Sequence, residues 1–568
     1  MNKNDDTTKP VWRIRAGGLG VAALTLASLI ATEPKLAIVW DEGFTLGREE
    51  RVREWLRGMR DPSQFAASWE PPSPQFELVQ PDGCQPPLRS QLGTRTGLLD
   101  QRVIEWFWPF GREEPHGHPP FYALVGLTGD VLAPSWGLLP RARLGPMIVF
   151  SLTAGALFAF MTRRFGAWAG VVAAGAFVLQ PRLFAHGHYA HYDDVLTCLW
   201  VGSILAFSNA VEAVNRPRPR WGWVVTFSLL AGAAAATKLT GWFLVLPFLA
   251  WAAIYRDRRA GLTLVVGGFF AVMTLYAMTP PWWNNPVSGV ERFLRSNLTR
   301  SLTTKIPTLF LGRVIMTPRN SLPWYNTLVW TVFVTPVGFL TLALAGIGRA
   351  LRRARSEPFG LLAVGHGAFL LILRSLPHTP GHDGERQFLA AFGVLALVAG
   401  LGAASVVERF GSWGKLVVVA ALAEGVVSIA LMLPNLLSYY SPLVGGLPGA
   451  ARLGMEPTYY CDALSDDARD WLNRHTAAGE KVLFATNPTS WRYLRQAGKL
   501  RVKFSRHEPG PWVWYVMQNR PGAFSPEERA LIARSGSRHV LVRSWGIPLI
   551  WAFPYEELER ARAEVRSP

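Results

Sequence analysis

Five short stretches of this 568-residue chain carry acids, histidines and cations of kinds that do chemistry. Asp41 and Glu42 adjoin. His118 precedes two prolines. His186, His188, His191, Asp193 and Asp194 crowd together. Lys238 stands alone in Ala-Thr-Lys-Leu-Thr-Gly, and His382, Asp383, Glu385 and Arg386 form the last group. A carboxylate within reach of a hydroxyl can take its proton. Arginine and lysine stabilise a phosphate that gathers charge, arginine through paired bonds and lysine as a point charge. Imidazole and carboxylate are also metal ligands. No fixed ligand spacing supports a metal site here, so no metal ligand is assigned; the cofactor stays open, a divalent ion included. Taken singly, each stretch has a plainer reading. Asp41-Glu42 can be a solvated pair past a helix end, His118-Pro119-Pro120 a helix start, and Lys238 a side chain reaching up to headgroups. Chemistry is favoured only if the elements between them bring all five stretches to one surface.

Those elements are apolar. Hydrophobic residues make up 49% of the chain. Charged residues make up 17%, against about 25% in soluble proteins. The 24 tryptophans recur beside apolar runs, as interfacial anchors do. The formal charge of +18 does not point to nucleic acid, because the arginines cluster between apolar segments. Cys84, Cys198 and Cys461 have no zinc or redox spacing. Cys84 and Cys461 fall on one side of the membrane, where a disulfide is possible; they are read as unpaired.

A membrane helix needs about 20 apolar residues. Candidate spans lie near 16–32, 144–161, 167–182, 194–212, 221–236, 240–255, 261–279, 327–348, 359–376, 387–406 and 415–434. The first lacks a small-residue cleavage site and is followed by more spans, so it is kept as a helix. A further stretch, Phe121 to Pro134, is short and suits an interfacial helix. The positive-inside rule supports that choice. If the stretch does not cross and the N-terminus (Lys9, Arg13, Arg15) is cytoplasmic, four arginine clusters all fall inside: Arg163–Arg164, Arg216 to Arg220, Arg256 to Arg259, and Arg349 to Arg355. If it crosses, all four fall outside. The first topology has 11 spans, two long outer loops at about 33–143 and 280–326, and an outer tail from 435. All five polar stretches then share the outer face, where ionisable groups at membrane depth read as functional. The tail reads as a small α/β domain. A helix opens at Asp466, strands lie at Lys481–Ala485, Trp512–Met517 and His539–Arg543, and a second helix opens at Pro526 with Ser525 as its N-cap.

Trp40-Asp41-Glu42 follows the first span, and His118-Pro119-Pro120-Phe121-Tyr122 closes the first loop. Gln180-Pro181-Arg182 and Ala190-His191-Tyr192-Asp193-Asp194 come next. Ala236-Thr237-Lys238-Leu239-Thr240-Gly241 and His382-Asp383-Gly384-Glu385-Arg386-Gln387 complete the set. In this order they resemble the glycosyltransferase family 39 branch of the GT-C superfamily, which includes protein O-mannosyltransferases and the lipid A aminoarabinose transferase. The likeness covers roughly residues 10–435. It implies a helical polytopic membrane fold of about 11 helices plus an interfacial helix over 1–434. A small extracytoplasmic α/β domain over 435–568 would follow. It implies a hexosyl- or pentosyltransferase that uses a polyprenyl-phosphate sugar, works by inversion on the extracytoplasmic side, and has an acidic first-loop residue as base. By position that residue is Asp41, with Glu42 orienting it. Lys238 and Arg386 would meet the phosphate. His118, His191, Asp193, Asp194, His382, Asp383 and Glu385 would bind the sugar or hold these groups. The acceptor, a protein, lipid or glycan, is unspecified. Loop two is too short for the β-trefoil of the family's eukaryotic members, which argues against a close protein O-mannosyltransferase. A transporter or lipid-linked sugar flippase is the alternative. It would tend to show internal repeats and a midplane site, and neither is seen. An assembly protein that works through its tail is the third reading.

Overall fold

The computed structural model of the protein describes residues 11–71, 86–110, 117–212, 218–303, 305–316, 319–486, 490–506 and 508–566. Lys9, Cys84 and Arg216 lie outside them. The protein is a mostly helical, multi-pass membrane protein with a small sheet near its C-terminus. Each of the eleven apolar stretches is helical. They lie in Val11–Thr32, Leu138–Phe165, Ala167–Val178, Tyr192–Val211, Trp221–Ala235, Leu239–Tyr255, Arg258–Ala277, the pair Asn326–Val334 and Val337–Arg352, Pro358–Ser375, and Ala390–Met432. Six of the described helices are long and apolar enough to cross a membrane unaided. One of them, Ala390–Met432, takes up two of the stretches; it has 43 residues and bends at Gly411, whose φ of 54° and ψ of −120° are not helical. The pair 326–352 breaks at Thr335-Pro336, where proline removes a helical N–H and its ring clashes with the preceding turn.

Small residues let these helices approach by backbone. A Cβ on Gly346 would collide with the Val398 carbonyl, and one on Gly402 with the Leu342 carbonyl, where 337–352 crosses 390–432. The stretch after His118 forms two helices of five residues each, Tyr122–Gly126 and Thr128–Leu132, too short to cross.

The arginine clusters gather at one end of the bundle. Arg163 hydrogen-bonds Asn209 and Arg164 hydrogen-bonds Ser208, both near the end of helix Tyr192–Val211. Arg349 and Arg353 both bind Glu357 and Glu408. Helix Tyr192–Val211 rises about 30 Å over its length and carries Asp193 in its first turn, so the candidate site lies at the opposite end.

Between helices Arg258–Ala277 and Asn326–Val334, strands β1 (Pro307–Phe310) and β2 (Arg313–Met316) pair as a hairpin in loop two. The tail forms a four-stranded sheet of β3 (Lys481–Phe484), β4 (Trp512–Gln518), β5 (Val540–Ser544) and β6 (Ile547–Pro554), in the order β3-β4-β6-β5. The expected strands and the two expected helices are present, and Ser525 with Glu528 forms a capping box. Strand β6 and helix Tyr555–Arg566 were not foreseen. Pro548 and Pro554 at either end disguise β6, and the turn into it places Trp545 and Gly546 both at positive φ.

Candidate active site

Asp41 starts the helix Glu42–Arg60 just beyond the first apolar helix. Its Oδ2 accepts from the Tyr192 hydroxyl at 2.8 Å and from Arg386 Nη1 at 2.6 Å. Arg386 is the hub. Nη1 also donates to Asp193 Oδ2 at 3.3 Å and to the Tyr460 hydroxyl at 3.1 Å, and Nη2 donates to Asp383 Oδ2 at 2.6 Å. The guanidinium lies 4.1 Å from the Tyr460 ring centroid. Asp193 Oδ1 in turn accepts from Lys238 Nζ at 2.7 Å. One cation thus bridges three carboxylates, and a second cation sits one carboxylate away. The chain makes this possible at a tight turn: Asp383 and Gly384 both have left-handed φ, 59° and 55°. That reversal aims Arg386 back at the first loop, strain of the kind found at functional sites.

Burial sets the electrostatics. Of the named acids and cations that meet here, all but the partly buried Asp383 are buried, among them Lys238 at 8% exposed. Loss of solvent, opposed by the Asp193 carboxylate, lowers its amine to about 8. Burial holds His191 down at about 4. Its Nδ1 accepts from the Asp193 backbone N–H at 2.9 Å, so the neutral ring carries its proton on Nε2, where it meets His186 Nδ1 at 2.9 Å. His191 therefore caps the helix of Asp193 rather than facing outward. His118 stacks near Tyr192, with centroids 4.2 Å apart, and Arg300 donates to it at 3.3 Å. His382 is buried beside Gln387, 3.3 Å from its amide.

Two other expected site residues face other partners. Both Glu42 oxygens are taken up. Oε1 accepts from Arg143 Nε at 2.7 Å and from Ala190 N, and Oε2 accepts from Arg143 Nη2 and Val39 N. It is a clamp between loop one, the helix of Arg143 and the histidine turn. Glu385 pairs with Arg182 at 2.8 Å, and that guanidinium is 4.6 Å from the Tyr440 ring centroid. Asp194 is fully buried, 3.7 Å from His191 Nδ1, and neither of its oxygens has a hydrogen-bond partner among the described residues.

Sequence reasoning missed the contribution of the tail. Tyr460 and Cys461 have left-handed φ of 60° and 62°, and the Tyr460 carbonyl accepts from Trp40 N at 2.9 Å. This bond ties the segment ahead of the sheet to Asp41's own turn. Nothing local marks Tyr460 in the sequence. Cys461 is a buried free thiol. Trp282 of loop two is buried beside Phe110 and Phe293. Among the described residues no cluster of histidine, cysteine and acids could hold a metal ion. A cavity of about 1120 Å³ lies at the opposite end of the bundle.

Residues 136–283 match the family described as dolichyl-phosphate-mannose-protein mannosyltransferase. The likeness read from the ordered motifs is thus found over the stretch that holds Arg182, His191, Asp193 and Lys238. Asp41, His118 and Arg386 lie outside it, and their place in the site rests on geometry. No curated protein sequence matches the chain. Among solved structures, the chain is similar to ArnT from Cupriavidus metallidurans bound to undecaprenyl phosphate, with 14% identity, 94% of this chain and 97% of that chain covered, and a TM-score of 0.49. It is also similar to the archaeal oligosaccharyltransferase AglB from Archaeoglobus fulgidus, in complex with an inhibitory peptide and a dolichol-phosphate, with 11% identity, 89% and 69% covered, and a TM-score of 0.46.

Proposed function

We propose that this protein is a membrane glycosyltransferase that moves a sugar from a polyprenyl-phosphate donor to an acceptor hydroxyl, by inversion. The observation that carries the reading is the hydrogen-bonded chain Asp41–Arg386–Asp193–Lys238, in which a buried carboxylate and two cations meet at one end of an apolar bundle. A soluble substrate needs no such placement; a lipid-linked one does. Asp41 takes the acceptor proton as the acceptor oxygen bonds to the anomeric carbon. The bond from that carbon to the phosphate oxygen breaks, and its electron pair stays on the phosphate. Arg386 and Lys238 meet that growing charge. Tyr192 orients Asp41, Asp193 holds the two cations, and Asp383 holds Arg386 from its other side. His118 and Arg300 stand beside Tyr192, placed to meet the sugar. Glu42, His191, Asp194, His382 and Glu385 hold the elements in place. The arginine clusters at the far end support a cytoplasmic position for that end, with the site and the tail facing outward. The chain divides into 1–434, which carries the chemistry, and 435–568, a second domain that lends Tyr460 to it.

The test uses sealed right-side-out vesicles and a labelled polyprenyl-phosphate sugar added from outside. Release of free lipid phosphate without detergent is expected. Movement of intact donor across the bilayer would mean a transporter, and activity only after detergent would reverse the orientation.

The same assay read against pH tests Lys238. Its amine loses its proton near pH 8 in the folded protein, against about 10.4 in an exposed lysine. Turnover should therefore fall as pH rises through about 8, when the phosphate loses a cation. Stability should move the other way. Between pH 8 and about 10.4 the unfolded chain holds the proton that the folded one has lost, so this group's contribution rises with pH. Turnover that is flat across this range would remove Lys238 from phosphate binding.

A further inference from the structure

At the end of the bundle away from the candidate active site, we infer a built site for an anionic phospholipid, separate from the donor site. A cavity of about 1120 Å³ opens there between helix ends, lined by Arg163, Arg164, Arg220 and Arg259 and walled by Trp251 and Phe359. Its acids are Glu212, Asp257 and Glu357, and Glu357 is already held by Arg349 and Arg353. Four arginines thus face two remaining acids.

The two central arginines are fixed in advance. Arg164 donates to the Ser208 hydroxyl at 2.8 Å and to its carbonyl at 3.1 Å, while its buried Nε has no partner among the described residues. Arg163 donates to Glu212 at 2.9 Å. A phosphate would gain these groups without the ordering cost of loose side chains.

A second, apolar groove of about 370 Å³ begins at Arg163. It lies between helices Val11–Thr32, Leu138–Phe165, Tyr192–Val211 and Trp221–Ala235, and Arg163 lines both spaces. From Arg15 and Arg163 it runs inward past Phe160, Ala156, Leu205 and Leu230. From Arg163 to Ala156 the helix rises about 10 Å into the apolar layer. Trp221 and Trp223, 47% and 38% exposed beside Arg220, mark the headgroup level. A cationic mouth at headgroup depth that leads into an apolar groove fits an amphiphile and not a soluble anion. Basic pockets between membrane helices take up anionic lipid headgroups by this chemistry. The two opposite ends of the bundle keep this site distinct whichever face is cytoplasmic.

The experiment offers phosphatidylglycerol or phosphatidylcholine of matched chains to the purified full-length protein and counts retained lipid by native mass spectrometry. The anionic lipid should be preferred roughly thirty-fold, the attraction of two arginines. The double substitution Arg163→Ala with Arg164→Ala should abolish that preference. Ala156→Phe, at an exposed position on the groove wall, should reduce retention with every charge intact, and it decides the matter if the double variant does not fold. Equal retention of both lipids, retention indifferent to Ala156→Phe, or displacement by millimolar inorganic phosphate would each overturn the assignment; the last would make it a site for soluble anions. Loss of the transferase reading would leave these outcomes untouched.

Discussion

Asp41→Asn is expected to lower turnover by roughly two to four orders of magnitude, the contribution of one positioned general base. The fold should survive. The amide oxygen still accepts from Tyr192 and Arg386, which hold the present carboxylate at 2.8 and 2.6 Å. Arg386 also keeps Asp193 and Asp383 as counter-charges. What asparagine cannot do is take the acceptor's proton. The variant should therefore still bind donor, and its melting temperature in detergent should stay near wild type. Donor binding and turnover are measured separately, so a folding defect is told apart from a chemical one. Wild-type turnover by the variant would end the assignment of Asp41 as base. The contact with Arg386 gives the prediction a second edge. An unoccupied site keeps Asp41 paired to Arg386. An incoming phosphate competes for that cation and leaves the carboxylate to the hydroxyl. Donor binding and activation of the base are then one event.

Much of this arrangement is local enough to read from the chain. Apolar runs of span length mark the helices because backbone in a bilayer must pair with itself. Asp41, Asp193, Lys238, Asp383 and Arg386 stand out because charges beside such runs are costly, and the structure brings all five together. Their individual duties were not legible. Glu42 looked like Asp41's helper because it is next in sequence. Its true partner, Arg143, lies 101 positions away and opens an apolar stretch that gives no hint of a buried ion pair. Glu385 likewise belongs to Arg182, 203 positions away. Tyr460 shows the sharper limit. It reaches the site through a backbone bond to Trp40 and two left-handed residues, and neither feature has a periodicity or a motif. Strand β6 hid for a related reason: its prolines signal a break, yet its pairing with β4 and β5 on both sides makes it central.

Arg386→Gln should have the largest effect on stability as well as on turnover. Nη1 serves Asp41, Asp193 and Tyr460, and Nη2 serves Asp383. Removing its charge leaves Asp41 on the neutral Tyr192 hydroxyl, Asp193 on Lys238, and Asp383 without the cation 2.6 Å away. Breaking a buried pair by deleting one partner costs about 3–5 kcal/mol, because the remaining charge stays desolvated. A marked fall in the detergent melting temperature is expected, together with loss of detectable lipid phosphate release. The pH dependence separates charge from shape. In the variant, protonation relieves repulsion among acids that have lost their cation, so the melting gap to wild type should narrow as pH falls from 7 to 5. A gap that is constant with pH would mean that the side chain matters for packing alone. Arg386→Lys should recover part of the stability and little of the turnover. A lysine restores one charge but cannot reach Asp41 and Asp383 at once from a planar fork. If lysine restored full turnover, a point charge would be enough, and the bridge between base and phosphate would not be what makes this site work.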